Sequence, residues 1–125
     1  MSAFLLDTQV FLSWRANDAR IAAPVRDAIS RAPVVFVSAA SAWEAAIKTA
    51  LGRLSLPEPF GRGVDDSGFQ RLAIAFEHAE AAAALPRHHN DPFDRMLLAQ
   101  AELEGFTLVS HDRLFAPYGA PMLWT

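Results

Sequence analysis

Four acids in this chain stand where a strand should end or a helix should begin: Asp7, Glu44, Asp94 and Asp112. Asp94 is the most informative. Asp91-Pro92 reads as a helix start, because Asp is a good N-cap and Pro at the first helical position loses no hydrogen bond. Steps of three, four and seven from Asp94 reach Leu97, Leu98 and Ala101, so this acid continues an apolar stripe that should face the core. A carboxylate so placed must be hydrogen-bonded, neutralised or holding a cation, since a bare buried charge is too costly.

Each acid also has a plainer use. Asp7 can cap a helix beginning near Thr8. Glu44 closes a Ser41-Ala42-Trp43-Glu44 capping-box pattern and precedes Lys48 by four, the favourable order for a surface ion pair. Asp94 can serve as the third residue of a capped helix, although Glu or Gln is the usual partner there, and Asp112 can end a strand in a turn. Together they point elsewhere. Two acids at strand ends and two near helix starts can converge on one end of a sheet, where repulsion raises their pKa values unless a cation holds them. Oxygen donors in a chain without cysteine favour Mg²⁺ or Mn²⁺. An acidic cluster with no phosphate-cradling glycine loop suits metal-assisted phosphodiester hydrolysis.

The elements that must position these acids follow from apolar patterning. Ala3-Phe4-Leu5-Leu6 and Val34-Val35-Phe36-Val37 are continuous apolar runs of the kind buried on both faces of a parallel sheet, and Phe106-Thr107-Leu108-Val109 is a third. Phe69 to Ala75 is a weaker strand, through Leu72-Ala73-Ile74. Helical spacing covers Thr8 to Arg15, a segment capped by Asp18 and running to Arg31, Ala39 to Leu51 with Trp43, Ala46, Ile47, Ala50 and Leu51 inward, Glu77 to Leu85, and Pro92 to Glu104. Arg53 to Gly68, with Pro57, Pro59, Gly61 and Gly63, reads as a loop with at most a short helical turn. Strands alternating with helices predict an α/β domain: a mostly parallel central sheet with helices on both faces. Ligands in such folds bind beyond the carboxyl ends of the strands, where Asp7 and Asp112 fall.

At 125 residues the chain is expected to form one domain, residues 1–125. With 52% hydrophobic and 20% charged residues it has an ordinary globular composition. No apolar run approaches the ~20 residues of a membrane span, and no signal-like segment opens the chain; the expectation is a cytoplasmic protein with no membrane association. A net charge of -3 argues against a wholly basic nucleic-acid surface but leaves a local groove open. Lys48 is the sole lysine, the remaining cations being arginine.

Other polar residues are weaker signals. His78, His88, His89 and His111 match no standard metal spacing and read as solvated loop histidines. Ser38, Ser41 and Ser110 could hold water or a phosphate oxygen, or serve as caps. Trp14, Trp43 and Phe93 lie on apolar helix faces and read as core. Serine-hydrolase, dinucleotide and P-loop motifs are absent.

Leu5-Leu6-Asp7-Thr8, Ser38-Ala39-Ala40-Ser41-Ala42-Trp43-Glu44 with Ile47-Lys48, Gly52-Arg53-Leu54 through Leu56-Pro57, His89-Asn90-Asp91-Pro92-Phe93-Asp94-Arg95 and Leu108-Val109-Ser110-His111-Asp112 resemble, in order, the motifs of PIN-domain ribonucleases. More closely they resemble the VapC toxins of bacterial toxin-antitoxin pairs, in the subgroup marked by Asp-Pro-Phe-Asp-Arg. The resemblance implies a PIN-like three-layer domain, a Mg²⁺- or Mn²⁺-dependent endoribonuclease acting on RNA, a homodimer, and inhibition by a small cognate antitoxin that inserts a segment near the active site. It implies that Asp7, Asp94 and Asp112 anchor the metal, with Glu44 orienting water or a second ion. Ser110, Arg95 and Arg113 are candidate contacts to the RNA backbone, with a surface ion pair as the other use of Arg95. Asp91 is expected to cap the helix. Many relatives carry a further Asp just before the Phe of the last motif; here Arg113-Leu114 precede Phe115, which implies a weaker hold on a second metal.

Two rivals make different demands. A catalytically silent PIN-like module would bind a partner without cleaving, and the retained acids count against it. A phosphorelay receiver domain needs a phosphoacceptor Asp on a middle strand and a Lys near the end, and this chain has neither.

Overall fold

The computed structural model describes residues 3–125. The short apolar runs become the strands of one sheet: β1 (Phe4–Leu6), β2 (Val35–Ser38), β3 (Gln70–Leu72), β4 (Thr107–Ser110) and β5 (Met122–Trp124). Their order is β3-β2-β1-β4-β5 and all four pairings are parallel. Parallel neighbours require crossovers. These are supplied by α1 (Thr8–Arg15), α2 (Ala23–Arg31), α3 (Ala39–Ala50), α4 (Phe60–Asp66), α5 (Phe76–Ala84) and α6 (Pro92–Glu104), and a 3-10 turn, Arg113–Tyr118, links β4 to β5.

Alternation along β1 explains the layering. Leu6 packs with Val10 and Phe11 of α1, Val25 and Ile29 of α2 and Val64 of α4. Its neighbour Leu5 packs on the opposite face with Ala40 of α3, Leu97, Leu98 and Ala101 of α6, and Phe115. Both faces are covered, which is why the strand sequences lack polar alternation. The architecture is the expected three-layer α/β fold, and the sheet is wholly parallel. Strand order reverses direction between β1 and β4, the switch point where such folds hold ligands. A receiver domain has the order 2-1-3-4-5 instead, and Ser38, not Asp, ends β2.

Several elements differ from their sequence-based expectation. The second helix begins at Ala23 with Pro24 in its first turn, and Asp18 does not cap it. The Asp18 carboxylate instead accepts from the Arg20 backbone N–H and guanidinium. The third strand, Gln70–Leu72, falls within the expected Phe69 to Ala75 but stops at Leu72, short of Ala73-Ile74, because its register is set by pairing to β2, Phe36 with Gln70 through Ser38 with Leu72. The tail forms a fifth strand on β4. Most consequential is α3, where the N-cap is Ser38, whose hydroxyl accepts from Ala40 N–H, and Ser41 lies inside the helix, so no Ser41–Glu44 capping box forms. The helix buries Ala40, Ser41, Glu44 and Ala45. Trp43 and Leu51 are 62% and 61% exposed, and Ile47 is exposed too, the reverse of the expected orientation.

One buried polar network ties the layers together. The fully buried Gln100 of α6 accepts from Ser38 Oγ at 2.6 Å and donates to Ala73 O at 3.2 Å. No helix among the described residues is long and apolar enough to cross a membrane.

Candidate active site

Asp7, Glu44, Asp94 and Asp112 line one cleft of about 420 Å³, together with Thr8, Asp91, Lys48, His111 and Arg113. It opens at the carboxyl ends of β1 and β4. Each acid is held by a different local device.

Asp7 follows β1 and is the N-cap of α1, its Oδ1 accepting from Val10 N–H at 2.8 Å. Its other oxygen, Oδ2, accepts a short hydrogen bond from Ser110 Oγ. The capping and cleft-lining roles are therefore served by one side chain. Ser110 is fully buried and also accepts from Asp112 N–H at 2.9 Å. It braces two acids and has no surface to offer a substrate, contrary to expectation.

Glu44 enters the cleft because α3 turns this face inward. Its Oε1 accepts from Thr8 Oγ1 at 2.6 Å, with Ser41 Oγ 2.9 Å from the same hydroxyl, and its Oε2 pairs with Lys48 Nζ at 2.9 Å. The expected Glu44–Lys48 pair exists, but its acid is buried. Hydrogen bonding to Glu44 raises the Lys48 pKa, and Asp91 and Asp94 add to the rise.

Asp91 caps α6, its Oδ1 accepting from Phe93 N–H at 2.8 Å and Asp94 N–H at 3.2 Å. Its carboxylate also lines the cleft. Asp94, one turn in, is only 19% exposed in its side chain. Burial, followed by the charge of Asp91, pushes its pKa up to about 7, with Asp7 and Glu44 contributing and His89 opposing. The Asp7 carboxyl is likewise raised, chiefly by burial, against the lowering effect of Ser110, Val10 N–H and His111.

Asp112 is held at both oxygens: Oδ1 accepts from Leu114 N–H at 3.0 Å, and Oδ2 lies 3.0 Å from His89 Nε2. His89 Nε2 is also 3.0 Å from Asp94 Oδ2. His89 is 6% exposed and not a solvated loop residue. It was legible only as a neighbour of Asp91; nothing in its spacing marks it. His78 is buried as well, with Nδ1 accepting from Ala75 N–H and Nε2 3.0 Å from Glu104.

Of the expected backbone contacts, Arg113 alone stays open to the cleft, its guanidinium 4.4 Å from the Trp124 ring centroid. Arg95 does neither of the things expected of it. Its guanidinium donates to the carbonyls of Ala82, Ala83, Leu85, Pro86 and His89. Those carbonyls sit at the end of α5 and in the following loop, where helix geometry leaves them without partners. Trp43, expected in the core, is exposed and meets Phe93 edge-on at 5.3 Å.

The donor set fits a hard divalent cation. All four acids present oxygen to the cleft, the donor type such a cation takes. His89, Asp94 and Asp112 place one potential ligand atom each within 4.8 Å of one another.

An acidic, oxygen-donor cleft at the switch point of an all-parallel sheet defines a class: three-layer α/β domains able to hold divalent cations beyond their strand ends. The PIN domain profile matches residues 4–120. The chain is also 30% identical over 124 residues to Ribonuclease VapC22 of Mycobacterium tuberculosis, spanning 97% of this chain and 95% of that protein. This chain belongs to the PIN domain family. Among solved structures it resembles VapBC2 from Rickettsia felis bound to a promoter DNA fragment, with a TM-score of 0.71, 98% of each chain covered and 10% identity. It also resembles VapC20 of Mycobacterium tuberculosis, described as a Sarcin-Ricin loop cleaving toxin, with a TM-score of 0.66, coverage of 98% and 99%, and 19% identity. At these identities the two structures share the fold.

Proposed function

We propose that this protein is a Mg²⁺- or Mn²⁺-dependent endoribonuclease and the toxin of a toxin-antitoxin pair, built as one PIN domain over residues 1–125. The observation carrying the reading is the meeting of Asp7, Glu44, Asp94 and Asp112, drawn from four separate segments, in one cleft. The ribonuclease name of its 30%-identical relative supports it.

In this reading Asp7, Asp94 and Asp112 hold the cation, and Glu44 orients the attacking water or a second ion. The bound cation supplies Lewis acidity toward a phosphate oxygen and makes a nucleophile available at neutral pH. Ser110 and Val10 N–H aim Asp7, while Leu114 N–H aims Asp112. Thr8 and Lys48 hold the two oxygens of Glu44 so that its carboxylate is directed into the cleft. Arg113, stacked on Trp124, contacts the RNA backbone. Ser110 and Arg95 are left out of the substrate-binding set, being spent inside the fold.

The antitoxin reading has its own support. An apolar groove lined by Phe11, Leu12, Leu54, Leu56, Pro57 and Phe60 shares Gln9 and Leu12 with the acidic cleft, so a segment lying in it reaches the site. The likeness to solved VapBC structures such as that from Rickettsia felis supports an antitoxin partner. Exposed apolar side chains, Phe76 at 85% and Leu103 at 52%, suit a homodimer.

The test is incubation of purified protein with total RNA. Cleavage is expected with Mg²⁺ or Mn²⁺ and not with chelator. Equal cleavage in chelator refutes the metal-dependent reading, and calorimetric metal binding without any cleavage favours the silent binding module.

A further inference from the structure

His89 is committed at every polar atom. Its N–H donates to Tyr118 Oη at 2.9 Å, and that hydroxyl donates to Pro86 O at 2.6 Å. Its carbonyl accepts from Arg95 Nη1 at 3.2 Å. The ring packs against Phe115, 5.4 Å between centroids. These contacts fix the loop before α6 and would serve a purely structural residue. The two ring nitrogens do something more. Nδ1 accepts from Asp91 N–H at 3.2 Å, so it carries no proton, and the ring's single N–H is at Nε2. That N–H is hydrogen-bonded to Asp112 Oδ2, and Nε2 lies equally close, 3.0 Å, to Asp94 Oδ2.

An Nε2 that bears hydrogen is a donor and not a ligand. Carboxylates that hold metals are themselves usually held by hydrogen bonds, which set their spacing and orientation. Asp112 caps the 3-10 turn, Asp94 lies in the first turn of α6, and His89 Nε2 stands between them.

We propose that His89 is a positioning residue that uses Nε2–H to hold the Asp112 carboxylate beside that of Asp94, at the spacing a divalent cation requires. The inference rests on the reading of the cleft as a cation site. It separates three jobs within one side chain: the ring fills space against Phe115, Nδ1 receives the Asp91 N–H, and Nε2 sets the acids.

Substitutions separate these jobs. His89→Gln places an amide nitrogen near the position of Nε2. His89→Asn places a polar atom near Nδ1, able to receive the Asp91 N–H, and reaches no further. His89→Phe keeps the ring and its packing without any donor. The experiment is calorimetric titration of the full chain with Mn²⁺ alone, with circular dichroism of each variant in chelator to establish that it is folded. RNA cleavage with saturating Mn²⁺ is the second readout. Wild type and the Gln variant should bind Mn²⁺ within about threefold of each other, whereas the Asn and Phe variants should lose about 10- to 100-fold in affinity. Cleavage should recover in the Asn and Phe variants as Mn²⁺ is raised. The Gln-to-Asn comparison stands even if the Phe variant does not fold.

Wild-type affinity in a folded Asn or Phe variant overturns the positioning role and leaves the cation site intact. A Gln variant as weak as Asn also overturns it and makes the imidazole nitrogen itself a ligand. A wild-type chain that binds no Mn²⁺ overturns both this proposal and the reading beneath it.

Discussion

Replacing Asp94 by Asn removes one negative charge from the cleft while keeping the side chain's shape, and it should make the metal-free protein more stable at neutral and higher pH. In the folded chain the Asp94 carboxyl is raised from 3.8 to about 7, by burial first and by Asp91 next. The unfolded chain gives up this proton near its ordinary value, so the contribution of Asp94 to stability is full below pH ~4 and is lost as pH rises through about 7. At about 1.36 kcal/mol per tenfold change in proton affinity, the rise corresponds to about 4 kcal/mol, of which neighbouring acids share a part; we expect about 2–4 kcal/mol. Asn does not titrate. The stability gap between Asp94→Asn and wild type should be near zero at pH 4 and grow toward pH 8 in favour of the variant, an increase of about 3–5 °C in Tm per kcal/mol for a chain of this size. The assay is urea unfolding in chelator across that range. Added Mn²⁺ should narrow or reverse the gap, because only wild type gains binding energy from the ion. A gap that stays constant between pH 4 and pH 8 in chelator refutes the reasoning.

Two further substitutions separate site from scaffold. Asp7→Asn should abolish cleavage while stabilising the metal-free protein at neutral pH, since burial also raises the Asp7 carboxyl and Asn still accepts the Val10 N–H, whereas Asp7→Ala should be about 1 kcal/mol less stable than Asp7→Asn from the lost cap, measured by chemical denaturation. Arg95→Ala should destabilise the fold by about 2–3 kcal/mol through the carbonyls it leaves without a charged donor, while kcat/KM of the folded protein changes little; a selective loss of RNA affinity would return Arg95 to the substrate-binding set.

The opposite fates of Asp91 and Asp94 illustrate how far local information reaches. A cap is a contact between residues two and three positions apart, so Asp-Pro at a helix start was readable as one. The turn from Asp91 to Asp94 was readable too, because the apolar stripe through Leu97, Leu98 and Ala101 has helical period, and all three prove buried. Gly105 ends α6 at a φ of 75°, a backbone conformation that glycine adopts at little cost. The same reasoning failed on α3. Periodicity there established that a stripe exists but not which side of the helix meets the protein, and Glu44 took the inward side, where the Thr8 hydroxyl donates to it.

What the amino-acid sequence determined by itself is therefore the alternation of strands and helices, the caps, and the ordered set of motifs that point to a PIN domain. Each depends on residues within a few positions of one another or on their order along the chain. The tertiary structure alone decided how the polar side chains are spent. Ser110 reaches Asp7 across 103 positions and His89 reaches Asp112 across 23. Arg95 answers carbonyls at the end of a helix that packs beside its own. A hydroxyl, an imidazole or a guanidinium can serve a substrate or a neighbouring backbone equally well, and only the path of the chain places its partner within about 3 Å.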